Sequence, residues 1–502
     1  MVQLTKDAVD SVQTRRVASL TNLKTKDPVD KAALMAAQSQ SFIEGQRVWV
    51  PSSSSSEWAC GVIVGVTRSA DEQVTLNVEI NGTTVSVPAM QCFLLNESDP
   101  DDLTKSDYLH EPGILHTLRS RFDLDTIYTY SGQILIALNP FKPLKHLYGP
   151  RMMAEYKEQQ LLEDLSPHCY AVAEAAYSNM MIDGHRQAVL ISGESGAGKT
   201  VTARLVMAYL AERSGGNAAA ALPIEQQILE SNPLLEAFGN AKTVRNDNSS
   251  RFGKFVEIDF SEGGRVSGAY VSTYLLERSR VVSVAEGERG FHVFYQMLAG
   301  FHEGSHEGLR ERLFLTGMSA KSFSYLAQSS ATSLTGTDDR AAFEETLRAM
   351  KIVGLDDEQV EAVLGVVAAV LHLGNIRFEM AEDAKADEAM VCADEGSVRG
   401  LECAAALLGC EVEALRTVLM SRKITIGGDV IVKEFNVVES EESRDSLAKS
   451  LYGRLFEWVV SAVNQKIGRV GGGGRTARTI GILDIYGFES FETNSFEQLC
   501  IN

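Results

Sequence analysis

Few folds accommodate the glycine-rich run at residues 193–200. The run consists of Gly193, Glu194, Ser195, Gly196, Ala197, Gly198, Lys199 and Thr200. It follows an apolar strand pattern, AVLIS at 188–192, and leads into a helical pattern, TVTARLVMAYLAER at 200–213. A strand, a GxxxxGK[ST] run and a helix in this order form a phosphate-binding loop, in which backbone N–H groups and the helix N-terminus face the phosphates. We expect Lys199 to reach the β- and γ-phosphates and the Thr200 hydroxyl to bind Mg²⁺.

Apolar strand patterns alternate with helical patterns after about residue 101. Strand patterns at 188–192, 252–260 and 479–484 are separated by largely helical sequence, including most of 300–470. This alternation is typical of an α/β protein whose sheet is covered on both faces. Together with the phosphate-binding loop, it predicts a P-loop NTPase fold with a central, mostly parallel sheet flanked by helices.

The sequence before residue 100 has a different pattern. Residues 1–40 are polar and weakly patterned, which predicts a flexible N-terminal tail. Short runs of alternating polarity follow within 41–97, and Asn81 with Gly82 is a strong hairpin signal. We expect these runs to form a small antiparallel β-barrel.

The composition argues against several classes of function. With 47 Lys and Arg against 67 Asp and Glu, the 502 residues carry a formal net charge of −20, which disfavours binding to nucleic acid or to an anionic membrane. The longest apolar stretch, 362–373, is too short to cross a bilayer, so no membrane insertion is expected. Seven cysteines without a CxxC pair favour a reduced, cytoplasmic protein. The HExxH pattern at 302–306 contains a glycine, which argues against a zinc-binding helix.

Two further segments are placed to complete a hydrolytic site. A polar loop at 246–251 precedes one strand pattern, and residues 484–489 follow the carboxyl end of another. Because ligands of open α/β sheets bind beyond the carboxyl ends of strands, both segments can converge on the phosphate-binding loop. In a DxxG segment after a buried strand, the Asp approaches the Mg²⁺ shell and the Gly N–H meets the γ-phosphate. These roles fall here to Asp484 and Gly487.

The same segments resemble those of the myosin motor domain. GESGAGKT, NDNSSRFGK and DIYGFE match the phosphate loop, the first switch and the second switch of that family. The resemblance covers about 101–502 and includes IYTYSGQILIALNPFK and YLLERSRVV, and HLYGPRMMAEYK is similar to class XI and class V myosins of plants and algae. Kinesin has a related phosphate loop, but its first switch continues as SRSH and its switches lie closer together. SSRFGK and the long interval from 253 to 479 exclude it.

The resemblance implies specific roles around the phosphates and the metal. Lys199 and Asn246 would contact the phosphates, while Thr200 and Ser250 would hold Mg²⁺ with Asp484 beside them. These assignments agree with the roles that the phosphate-binding loop alone gives to Lys199 and Thr200.

The resemblance also implies how the site would close. Ser249 and the backbone of Gly487 would border the γ-phosphate and the attacking water. Arg251 and Glu489 would form an ion pair that joins the two switches, and Glu489 would relay a proton through a second water. The alternative for Arg251 and Glu489 is an ordinary surface ion pair that contributes under about 1 kcal/mol.

A purine-binding loop is implied by a separate segment. The matching residues are Asn139, Pro140, Phe141 and Lys142, followed by an aromatic residue, Tyr148, one position later than in many members of the family. We expect this segment to contact the adenine ring.

The function implied is an actin-activated myosin ATPase, a cytoskeletal motor that uses ATP and Mg²⁺ and binds actin filaments in the cytoplasm. Two alternatives remain: a nucleotide-binding module that tethers actin without turnover, and a truncated fragment without motor activity. In the family pattern, residue 502 lies at the start of the relay helix, so light chains or calmodulin would bind only a lever arm outside this chain. One interior strand of the family's sheet would also be missing, and 1–502 alone is therefore expected to be insoluble or molten.

Overall fold

A computed structural model gives the fold of the chain and describes residues 2–4, 42–52, 58–69, 73–158, 165–194, 196–215, 224–301, 306–381, 388–426, 429–468, 478–485 and 496–501. The chain divides into two compact units, Met1–Leu190 and Ile191–Asn502. The sequence patterns instead predict boundaries near residues 40 and 100.

The first unit contains nine strands and three helices in its described residues. The strands are β1 (Val2–Leu4), β2 (Arg47–Pro51), β3 (Trp58–Arg68), β4 (Val74–Ile80), β5 (Thr83–Pro88), β6 (Phe93–Leu94), β7 (Tyr128–Ser131), β8 (Ile134–Ala137) and β9 (Gln187–Ile191). The helices are α1 (Glu111–Asp123), α2 (Pro150–Glu158) and α3 (Cys169–Asp183).

Strands β2 to β6 form an antiparallel sheet in the order β5-β4-β3-β2-β6. Its apolar side chains, among them Val48, Ile63 and Leu76, form one buried cluster, as the alternating pattern predicts. The turn between β4 and β5 contains Asn81 with a φ of 48° and Gly82 with a φ of 79°, which confirms the predicted hairpin. In the described residues the outer strands β5 and β6 do not pair with each other, and closure of this sheet into the predicted small β-barrel remains a prediction.

The other strands of this unit lie in the order β9-β1-β8-β7. Gly132, with a φ of 63°, lies in the turn between β7 and β8, which pair antiparallel. The strand β1 pairs antiparallel with β8, and Val2 lies opposite Leu135. Residues 2–4 therefore depart from the predicted flexible tail, and 5–40 lie outside the described residues.

The second unit contains the remaining strands and helices. The strands are β10 (Asn240–Thr243), β11 (Asn246–Ser250), β12 (Gly253–Phe260), β13 (Val266–Tyr274), β14 (Phe378–Met380), β15 (Ala389–Val391), β16 (Ser421–Ile426), β17 (Asp429–Glu434) and β18 (Thr479–Asp484). The first seven helices are α4 (Lys199–Arg213), α5 (Ile224–Glu230), α6 (Asn232–Gly239), α7 (His292–Gly300), α8 (Glu307–Arg312), α9 (Asp339–Ile352) and α10 (Asp357–Gly374). The last four are α11 (Glu395–Leu408), α12 (Val412–Met420), α13 (Val437–Ile467) and α14 (Phe496–Ile501).

A three-stranded sheet in the order β13-β12-β18 positions the site residues of this unit. Strands β12 and β13 form a hairpin, and β18 pairs with the other edge of β12. Both pairs are antiparallel, as are β1–β8 and β7–β8 in the first unit, so the predicted mostly parallel arrangement does not hold for the pairs with a described register. The hairpins are antiparallel because their connections are too short for a parallel crossover.

Helices α10 and α13 form much of the core of the second unit. Most apolar side chains of α10 are buried, and Asp356 and Gln359 form a reciprocal capping box at its start. Asn436 and Glu439 cap α13 in the same way. Among the described residues, no helix has the length and apolar character required to span a membrane.

Candidate nucleotide site

The glycine-rich run forms the turn between β9 and α4. Gly196 and Gly198 have φ angles of 80° and 90°, in the left-handed region that residues with a Cβ rarely adopt. The Ala197 N–H donates to the carbonyl oxygen of Glu194 at 3.2 Å. Ser195 lies outside the described residues. The turn exposes backbone N–H groups beside a helix N-terminus, which is the arrangement that binds anions.

The Lys199 side chain folds back over this turn. Its ammonium group donates to the carbonyl oxygens of Gly193 at 2.9 Å and Glu194 at 2.8 Å. These hydrogen bonds hold a full positive charge beside the N-terminus of α4, whose dipole also favours an anion. Lys199 and the loop backbone are therefore arranged together, and the contact of Lys199 with phosphates remains a prediction.

The strand β18 brings Asp484 to the start of α4. The Thr200 hydroxyl donates to the Asp484 carboxylate, and Lys254 of β12 lies opposite Asp484 in the sheet. Burial raises the pKa of Asp484 above its ordinary value, although the ammonium groups of Lys254 and Lys199 oppose this change. Carboxylate and hydroxyl oxygens are ligands that Mg²⁺ accepts, so the residues present at this point fit the predicted metal site.

The segment predicted as a polar loop is largely the strand β11, which pairs antiparallel with β10. A Cβ atom built on Gly196 would lie 3.9 Å from the carbonyl oxygen of Arg245, which places the β10–β11 turn beside the phosphate-binding loop. The carboxamide of Asn246 closes a local turn, since its oxygen accepts the Asn248 N–H at 3.0 Å. Ser250 lies opposite Asn240 in this pair of strands. The phosphate contact of Asn246 and the metal contact of Ser250 remain predictions.

Arg251 is a buried charge at the end of the same segment, with a side chain that is 1 % exposed. Its Nη1 donates to the Ser249 Oγ at 3.1 Å, and its Nε donates to the Glu277 carboxylate at 2.7 Å. The predicted partner, Glu489, and the predicted Gly487 lie outside the described residues. The sequence patterns assign no role to Glu277, although it stands in the YLLERSRVV segment between two arginines and a strand.

The predicted purine-binding residues lie in the first unit. The Asn139 carboxamide oxygen accepts the Phe141 N–H at 3.0 Å, and Phe141 is highly exposed with a φ of 50°. Lys142 forms an ion pair with Asp125 at 2.6 Å. The hydroxyl of Tyr148 lies 3.0 Å from that of Tyr128. These contacts shape an exposed turn, and a role in binding adenine remains a prediction, as it does for Pro140.

Comparison with known proteins gives one consistent family. Residues 100–502 match the model of the myosin head (motor domain). The chain is 49 % identical over 405 residues to Myosin-6 of Arabidopsis thaliana, covering 81 % of this chain and 26 % of the relative. It is 45 % identical over 465 residues to Myosin-17 of the same plant, covering 92 % and 29 %. Protein OPAQUE1 of Zea mays is 50 % identical over 403 residues, covering 80 % and 26 %. The chain thus spans between a quarter and a third of the length of these relatives.

Proposed function

We propose, because the chain belongs to the family of myosin motor domains, that it binds Mg-ATP and hydrolyses it as the catalytic part of an actin-based motor. The observation that carries this proposal is the placement of charges and hydroxyl groups within one unit. Lys199 lies over the phosphate-binding loop, Thr200 contacts Asp484, and Arg251 contacts Ser249. Cation, metal ligands and a polarised hydroxyl group are the parts that phosphoryl transfer to water requires.

The residues of the chain would act by positioning. The loop backbone and Lys199 would bind the phosphate oxygens, and Thr200 with Asp484 would hold Mg²⁺, which neutralises charge on the transferred phosphoryl group. The Ser249 Oγ accepts a hydrogen bond from Arg251, and because a guanidinium group has no acceptor, the Ser249 hydroxyl proton is directed away from Arg251. We propose that this proton orients the attacking water, because an in-line water held in place removes much of the barrier.

Several parts of the proposal are supported by the family resemblance. They are the phosphate contact of Asn246, the metal contact of Ser250, the γ-phosphate contact of Gly487, the closing ion pair of Arg251 with Glu489, and the adenine contacts of Asn139, Pro140, Phe141, Lys142 and Tyr148. We also propose that 41–97 is a separate module before a motor domain at 101–502. Actin filaments are the proposed partner, and the cytoskeleton is the proposed location.

The second candidate function is a nucleotide-gated actin tether without turnover. The intact set of Lys199, Thr200, Ser249 and Asp484 disfavours this alternative, because a tether needs the phosphate cradle alone. Release of inorganic phosphate by the full-length protein, with and without actin filaments, separates the two functions. A motor releases phosphate repeatedly and faster with actin, whereas a tether binds ATP without releasing phosphate.

The phosphate-binding role of Lys199 gives the most direct prediction. Lys199→Ala is expected to weaken ATP binding roughly 100-fold, because about 2–3 kcal/mol of charge-assisted hydrogen bonding is lost. Lys351→Ala, which removes a lysine from an exposed ion pair with Asp357, is the control and should bind normally. Binding is measured by the fluorescence of a labelled ATP, and unchanged binding by Lys199→Ala would contradict the proposal.

Glu489→Ala is expected to bind ATP but not to hydrolyse it.

A further inference from the structure

A network of hydrogen bonds between buried charged side chains connects Ser249 to Glu277. The Glu277 carboxylate accepts hydrogen bonds from Nε of Arg251 and from Nε of Arg280, both at 2.7 Å. The side chains of Glu277, Arg251 and Arg280 are 11 %, 1 % and 6 % exposed. Bulk water therefore has little access to these groups, and their orientation depends on one another.

The same network also contacts the other end of the β10–β11 hairpin. Nη1 of Arg280 donates to Glu288 at 2.9 Å, and the other oxygen of Glu288 accepts the backbone N–H of Val244 at 3.3 Å. Val244 lies in the turn between β10 and β11, whereas Ser249 lies near the end of β11. The hairpin is thus tied to the same four charged side chains at both ends. The backbone adds a further tie, since the Glu277 N–H donates to the Arg251 carbonyl at 2.9 Å.

The network contains two arginines and two glutamates, so it carries no net charge. Burial opposes the ionisation of Glu277, but Arg280 and Arg251 outweigh it and hold the pKa of Glu277 below its ordinary value. A buried ionic network stabilises a structure only while it is complete, because removal of one member leaves its partner charged and unsolvated. Glu277 accepts hydrogen bonds from two arginines, so its loss removes a partner from both.

We propose that Glu277 is a positioning residue for ATP hydrolysis. It fixes the plane of the Arg251 guanidinium group so that Nη1 reaches the Ser249 Oγ, and this contact sets the direction in which the Ser249 hydroxyl donates. The inference rests on the proposed hydrolytic function, because it gives Glu277 a part in orienting the attacking water through Arg251 and Ser249.

A buried ion pair elsewhere in the same unit provides the matched control. Asp339 is 12 % exposed and accepts two hydrogen bonds from the fully buried Arg289, at 2.8 and 3.0 Å. Asp339→Asn and Glu277→Gln therefore remove the same charge from equally buried pairs. Of the two carboxylates, Glu277 accepts a hydrogen bond from Arg251, the partner of Ser249, whereas Asp339 accepts from Arg289.

The test compares these variants in the full-length protein. Glu277→Gln is expected to bind labelled ATP as the wild type does but to slow cleavage of bound ATP in a single turnover by roughly 10- to 100-fold, since misplacement by about 1 Å has that effect. Asp339→Asn should leave the cleavage rate unchanged. In the Arg251→Ala background, adding Glu277→Gln should have no further effect, because Glu277 acts through Arg251. Equal cleavage rates in Glu277→Gln and Asp339→Asn would overturn the inference.

Hydrogen exchange of peptides that cover 243–251 tests positioning without requiring hydrolysis. These peptides should exchange faster in Glu277→Gln than in Asp339→Asn at the same overall stability, and equal exchange would overturn the inference. A wild type that binds but never cleaves ATP would remove the proposed function, and with it the catalytic part of this inference. If Glu277→Gln does not fold, Glu277→Asp, which keeps the charge and shortens the side chain, is measured in its place. We expect the same fall in cleavage and the same rise in exchange.

Discussion

Two buried aspartates lie at opposite ends of the β12–β18 pair and have different neighbours. Asp484 accepts from the Thr200 hydroxyl beside the phosphate-binding loop, whereas Asp259 accepts from the Thr479 hydroxyl at 2.8 Å at the far end. We expect Asp484→Asn to weaken the Mg²⁺-dependent part of ATP binding by about tenfold or more, because an amide is a poorer ligand for a hard cation than a carboxylate. Asp259→Asn should lower stability only.

Titration of Mg²⁺ at a fixed concentration of labelled ATP measures this difference. The thermal unfolding of both variants shows how much stability each has lost. If the two variants have the same Mg²⁺ dependence, Asp484 has no part in holding the metal.

The residues of the phosphate-binding loop could be predicted from the sequence because their chemistry is local. The predicted residues are consecutive in the sequence, 193–200, and Gly196 and Gly198 adopt φ angles that glycine allows. Glu277 could not be predicted, because its contact with Arg251 joins residues 26 positions apart. The contact of Glu288 with Val244 spans 44 positions. Such pairs depend on how whole strands are placed, and no spacing rule in the sequence reports this.

At the scale of the elements, one side chain of α13 covers an edge of the β12–β13 hairpin. The Asn464 carboxamide donates to the Val271 carbonyl at 2.8 Å and accepts the Val271 N–H at 2.7 Å. Val271 lies on β13, at the end of the strand order β13-β12-β18. Asn464 thus takes the hydrogen bonds that a neighbouring strand would otherwise make with this residue.

Asn464→Asp is expected to lower the free energy of unfolding by about 1–3 kcal/mol, because a carboxylate cannot donate to the Val271 carbonyl. Gln465→Glu adds the same charge one position later, on the exposed face of α13, and should change stability little. Urea unfolding of both variants gives the comparison. An equal loss of stability in the two variants would mean that charge alone, and not the edge contact, is responsible.

Most of the elements named from the sequence are present, and the departures have physical causes. The hairpins β7–β8 and β12–β13 follow from turn residues and alternating polarity, which are local signals. The direction of pairing between β12 and β18 depends on more than two hundred intervening residues and is not encoded locally. The helix α10 ends at Gly374, and its capping residue is Asn375. A Cβ on Gly374 would lie 2.6 Å from the Tyr325 ring, so close packing and not helix termination requires this glycine.

At the scale of the whole molecule, three buried histidines make stability depend on pH. Burial lowers the pKa of His168 and of His372 to about 4, and that of His292 to about 3. In His168, Nδ1 accepts the Tyr170 N–H at the start of α3 and Nε2 lies 3.0 Å from the Leu147 carbonyl, which fits a neutral ring. The folded chain thus binds fewer protons than the unfolded chain between about pH 4 and 6.5.

We therefore expect stability to be complete above about pH 6.5 and to fall as the pH approaches 4, by up to about 3 kcal/mol for His168. Urea unfolding between pH 7.5 and 5 measures this slope. His168→Asn keeps a group that can cap α3 and should reduce the slope. His116→Gln, at a histidine whose side chain is 45 % exposed, should not. A slope that is unaltered by His168→Asn would show that His168 does not contribute.

The four charged side chains that hold the β10–β11 hairpin are buried, so dissolved salt should affect them less than it affects exposed ion pairs. Counter-ions weaken exposed pairs such as Lys351 with Asp357, and with them any association driven by surface charge. Counter-ions cannot enter the buried network, in which Arg251 is 1 % exposed and the charges sum to zero. In the proposed motor, attachment to a filament through surface charge should therefore weaken in concentrated salt while the geometry around Ser249 persists. Filament binding and ATP cleavage should then depend differently on the salt concentration.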